Sequence, residues 1–135
     1  MKTTVQKVAM VFGVVFLIVA VYGFFSPGGM VMAPIAGSGM LLGMFPINLL
    51  HNVVHLLFGA WGILAARSFS GSKTYTQVGG IAYIVLAICG YFIPGGFNLV
   101  PLGGNDIGLH AALGIVLAFF GFTAKKEVAS AASPS

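Results

Sequence analysis

Four apolar runs, roughly Val8–Phe25, Pro46–Arg67, Tyr75–Ile93 and Asn105–Lys125, occupy most of this chain. Each approaches the ~20 residues a helix needs to cross a bilayer core. Where no water is present, a backbone satisfies its own polar groups only as helices or a closed barrel. The runs therefore predict an all-α integral membrane four-helix bundle. The composition agrees: of 135 residues, 59% are hydrophobic and 6% charged, with mean hydropathy +1.05. Soluble domains carry about 25% charged residues, so a soluble fold of this size lacks the charge to cover its core. The length suits one domain. We assign it to residues 1–126, and a tail at 127–135, Ser- and Ala-rich with nothing to pack, is expected to be disordered.

The net charge of +4 comes from six cations in three places. Lys2 and Lys7 precede the first run, Arg67 and Lys73 separate the second from the third, and Lys125 and Lys126 follow the fourth. That alternation is the positive-inside pattern, with both ends and the middle loop cytoplasmic. It explains the basic balance as topology and points away from nucleic acid. The first run is longer than the ~7–15-residue core of a signal peptide and no small-residue cleavage site follows, so it reads as a retained helix. The setting expected is a bacterial plasma (inner) membrane, with lipid, and other membrane proteins or a second copy, as partners. Cys89 is the only cysteine and forms no internal disulfide.

An internal repeat organises the runs. Gly23-Phe24-Phe25-Ser26-Pro27-Gly28-Gly29 returns as Gly90-Tyr91-Phe92-Ile93-Pro94-Gly95-Gly96. After each comes an Asn, then a His followed four residues later by Gly: Asn48 with His55 and Gly59, then Asn105 with His110 and Gly114. The expectation is two tandem helical hairpins in the same orientation, a parallel repeat about an axis along the membrane normal. The Gly- and Met-rich loop from Ser26 to Phe45 reads as an interfacial cap with room for a second helical segment around Met40. Pro46 reads as a first-turn residue of the second helix.

Asn48, His51, Asn52, His55, Gly59 and Gly62 recur at helical steps, polar at the outer end and small toward the middle. Asp106, His110, Gly114 and Gly121 make a matching stripe. Small residues let helices approach in lipid, and the simplest packing turns the two stripes toward each other. Polar groups within a span are functional candidates by default. The plainest reading is helix glue, with Asp106 accepting a bond from His110 four residues on. A second reading is a metal site using His51, His55, His110 and Asp106, since histidines at i and i+4 share a face. A third is a haem or chlorophyll clamped between His55 and His110. A proton path across the membrane is not legible, because Asp106 is the only carboxylate near a span. Trp61 and Tyr83 read as mid-span packing or lipid-facing aromatics. Tyr22, Tyr75 and Tyr91 read as interfacial, and Gly79-Gly80 as a close helix contact. No phosphate-loop, nucleophile-elbow or C-x-x-C motif is present, so the chain is read as non-enzymatic and without an obligatory cofactor, a structural or accessory protein.

The run from Leu41 to Gly59, with its His-Asn-x-x-His-Leu-Leu-x-Gly string at 51–59, the Gly62–Arg67 end, Phe97-Asn-Leu-Val-Pro-Leu, and Asp106 with Leu109-His110 resemble the bacterial membrane family catalogued as domain of unknown function 4383. The resemblance runs from the first span to about Gly121. It implies a small multi-pass membrane protein and no particular activity. This chain departs from the pattern at Gly103, where the family tends to have Asn, and at Ile107-Gly108, where it often has Asn-Trp.

Overall fold

The computed structural model describes residues 3–32, 39–93 and 100–126. In order these form α1 (Thr4–Phe25), β1 (Gly39–Leu41), β2 (Phe45–Ile47), α2 (Leu49–Ala65), α3 (Phe69–Phe92) and α4 (Asn105–Thr123). The expected tail at 127–135, Lys2, Pro34, and the Pro94-Gly95-Gly96 copy of the repeated string fall outside the described residues. α1, α3 and α4 are long and apolar enough to cross a membrane, whereas α2, at 17 residues, is shorter. At 1.5 Å per residue α2 spans ~25 Å and the 24-residue α3 ~36 Å.

Local chemistry sets the ends. α1 starts at Thr4 and not Val8, because Thr3 and Gln6 form a capping box: the Gln6 N–H donates to Thr3 Oγ1 (3.4 Å) and the Thr3 N–H to Gln6 Oε1 (3.1 Å). α3 starts at Phe69 and not near Tyr75, because Ser68 caps it by accepting the Gly71 N–H (3.0 Å). Lys73 thus sits on the helix, and the α2–α3 connection shrinks to Ala66–Ser68.

The loop before α2 holds a small antiparallel hairpin and not a helix around Met40. Met40 pairs with Pro46, and the chain reverses through Leu42 (φ 54°) and Gly43 (φ 69°). Proline is tolerated at such an edge because no further strand needs its missing N–H. Pro46 is therefore a strand residue, and Asn48 begins α2 by accepting the His51 N–H at 2.9 Å. α4 has no side-chain cap; the chain enters it through Gly103 (φ 119°) and Gly104 (φ 59°), both left-handed. The Gly103 departure from the family pattern falls at this turn.

The glycine stripes do not face each other. A Cβ on Gly13 of α1 would lie 2.7 Å from the Ile63 nitrogen and 2.9 Å from the Gly59 carbonyl oxygen, so Gly59 and Gly62 serve the α1–α2 contact. A Cβ on Gly80 of α3 would lie 2.4 Å from the Ala118 nitrogen; Gly114 meets Gly80 and Ile84, and Gly121 meets Thr76 and Gln77. The stripes thus close α1 on α2 and α3 on α4, and α2 and α4 are not a close-packed pair. Aromatic side chains bridge the two hairpins: Phe16 on Tyr83, and Phe58 on Tyr75 with Trp61 at its edge. Tyr75 is fully buried, not interfacial as its position suggests, while Tyr22 and Tyr91 are exposed. Val11, Ile18, Leu57, Ile88 and Phe119 form an exposed apolar surface suited to lipid.

Candidate functional site

The polar stripe of α2 and the first turns of α4 meet through their side chains. His51 stands in the first turn of α2, fixed by the Asn48 cap. His55, one turn on, has its ring centroid 4.3 Å from that of His51. The His55 Nδ1 lies 2.8 Å from the His51 carbonyl oxygen, which only accepts, so Nδ1 carries the proton. Nε2 is then an acceptor, and the Tyr83 hydroxyl, 3.2 Å away, donates to it. Both ring nitrogens of His55 are committed, which leaves none for a haem iron.

Tyr83 is the site residue the sequence reading missed. It lies in α3, stacks on Phe16 and places its ring 5.2 Å from that of His110. Its spacing from Gly80 and Gly90, the same as that of Phe16 from Gly13 and Gly23, was the available signal.

Asp106 and His110 complete the cluster from α4. His51, Asp106 and His110 are all buried, and one ligand atom from each lies within 4.8 Å of the others. The expected Asp106–His110 hydrogen bond is not formed. Asp106 Oδ2 and His51 Nδ1 are buried without a hydrogen-bond partner. Asn52 interacts with the His51 side chain and also serves the loop after α1, donating from Nδ2 to the Gly29 carbonyl at 2.9 Å across the gap left by Gly23. Asn105 donates from Nδ2 to the Met44 carbonyl at 3.1 Å and ties α4 to the β-hairpin.

Two apolar cavities reach the imidazoles. One, about 200 Å³, lies under the β-hairpin among Phe16, Leu41, Phe45, Asp106, Leu109 and His110. The other, about 230 Å³, lies among His51, Val54, Phe58, Tyr83, Leu102 and His110. A larger groove, about 750 Å³, runs along Leu17, Val21 and Phe25 of α1, away from the cluster.

Long apolar helices surrounding a buried polar cluster define a helical membrane protein. The chain belongs to the family described as Domain of unknown function (DUF4383), whose model matches residues 6–123. No curated protein and no solved structure matches it.

Proposed function

We propose that this is a four-span protein of a bacterial plasma membrane, made of two tandem hairpins with both ends and the α2–α3 turn in the cytoplasm. It acts as a structural or accessory protein through helix contacts. The observation that carries this reading is where the outer polar groups spend their bonds. Asn52 holds the loop after α1, His55 holds Tyr83 of α3, and Asn105 holds the β-hairpin. These bonds fix how the elements sit against one another, which is what polar groups in membrane bundles commonly do.

The tandem reading is supported by register. Buried Gly13, Phe16, Ala20 and Gly23 of α1 recur as buried Gly80, Tyr83, Ala87 and Gly90 of α3. His51, His55 and Gly59 of α2 correspond to Asp106, His110 and Gly114 of α4. The Ala66 carbonyl receives Gln6 Nε2 and the matching Gly121 carbonyl receives Gln77 Nε2, each at 3.1 Å, with Gln77 one helical turn beyond the place that matches Gln6. The orientation is supported by the positive-inside rule. Lys7, Arg67, Lys73, Lys125 and Lys126 lie at one end of the helices, opposite the histidines.

Single cysteines in a Cys89→Ser background test the topology. An impermeant maleimide applied to intact cells should label Met30→Cys and spare Ser70→Cys; the reverse would invert the orientation. A photo-crosslinking residue at exposed Ile18 or Ile88 tests the role. Protein adducts of fixed mass in native membranes are expected, and adducts to lipid alone would remove the accessory reading.

A further inference from the structure

The interlocking bonds leave two buried atoms at the outer cluster unexplained, His51 Nδ1 and Asp106 Oδ2. Tyr75 OH, the other such atom among the described residues, sits apart among Phe58 and Trp61. Cys89 and the α1 groove have no converging polar groups.

We propose that His51, Asp106 and His110 form a binding site for a divalent first-row transition-metal ion, of the zinc or iron(II) class. Each requirement of such a site is met by a named group. The three side chains come from two helices, so the site closes α2 against α4, whose backbones do not pack closely. Their ligand atoms lie no more than 4.8 Å apart. A tetrahedral ion with bonds of about 2.0–2.1 Å places its ligands ~3.4 Å apart, so small side-chain rotations close the set. His51, Asp106 and His110 are 7%, 2% and 3% exposed, which removes competing water.

Charge gives a second, independent reason. Asp106 is the only carboxylate among the described residues, and the described Lys and Arg side chains lie at the other end of the helices. A carboxylate shielded from water needs a proton or a cation beside it, and the neighbours here are two imidazoles. Two imidazoles and a carboxylate suit borderline divalent ions, and the set contains no thiolate to favour copper(I). His55 is excluded as a ligand by its bonds to the His51 carbonyl and Tyr83. It positions the His51 backbone from outside, as groups behind metal ligands do. His51, Asp106 and His110 all line the cavity under the β-hairpin, together with Leu41 and Phe45.

The test uses the full chain in detergent, stripped with a chelator and titrated with cobalt(II) alone. The expected result is one cobalt per chain, visible as absorption bands of a low-coordinate ion that zinc(II) abolishes. Asp106→Asn and His110→Gln, each checked for helical content, should bind at least ~100-fold more weakly, whereas Tyr75→Phe should bind like the parent. A folded parent that takes up no cobalt overturns the proposal. Equal uptake by the parent and both ligand variants overturns it too, by placing the ion elsewhere. Neither result touches the accessory reading, which rests on crosslinking.

Discussion

Phe16 of α1 and Tyr83 of α3 stack in parallel and offset, with ring centroids 5.4 Å apart and ring planes within 3° of parallel. In the proposed repeat they occupy matching places, and the Tyr83 hydroxyl reaches past the stack to His55. One residue therefore joins the apolar seam to the polar cluster, and two substitutions separate its roles. Tyr83→Phe keeps the ring and loses the bond; it should lower stability by about 0.6 kcal/mol, the average for such bonds in membranes. Tyr83→Ala also opens the seam and should cost about 3–5 kcal/mol. Unfolding in mixed micelles measures both, and equal losses would mean that the stack contributes nothing.

The glycine contacts predict steric effects in each hairpin independently. Gly13→Ala and Gly80→Ala drive a methyl group into the backbone of the facing helix. Each should destabilise by about 1–3 kcal/mol, and the double variant should lose the sum, because the sites share no partner. A double variant no worse than either single one would show that the hairpins do not pack as separate units.

Gly108 is the contrasting case. It is helical, and a Cβ there meets nothing within 4 Å. Gly108→Ala should leave packing intact and raise stability by up to about 1 kcal/mol through helix propensity alone. A loss of stability would reveal a partner for this face of α4.

Metal binding predicts a dependence on added ion. At zinc(II) one hundred times its dissociation constant, the parent should gain about 2.7 kcal/mol of stability. Asp106→Asn, binding at least ~100-fold more weakly, should gain no more than about 0.4 kcal/mol. Without metal the variant should be at least as stable as the parent, because the neutral amide removes a buried carboxylate that lacks a partner at Oδ2. Thermal unfolding with and without zinc decides this; a metal-free Asp106→Asn protein that melts well below the parent would show that the carboxylate is held by the fold itself.

Helical spacing in the sequence was enough to place the polar and small residues of α2 and α4 on common faces, and Asp106, His51 and His110 do meet. What those faces would meet was not legible, because a glycine stripe says that something approaches closely without naming the neighbour. Here Gly59 serves α1 and Gly114 serves α3, each the helix that precedes it in the chain. The β-hairpin was hidden for a different reason. Its strands are three residues each, too short for alternation to register, and its turn places Leu42 beside Gly43 at positive φ, so that only one of the two residues carries a turn signal. Tyr83 was passed over because a lone aromatic in an apolar run looks like packing, which its ring is; only its hydroxyl carries the second role.

In the tandem repeat we propose, His51 and Asp106 take corresponding stations in the two hairpins yet differ in chemistry. Two identical chains meeting on a dyad cannot achieve that, since whatever one offers the other must duplicate. They would bring together a pair of imidazoles or a pair of acids, and two acids out of reach of water repel. On the proposed tandem reading, joining both hairpins in one polypeptide frees the stations to diverge, so a base can stand opposite an acid where two identical chains would place like against like.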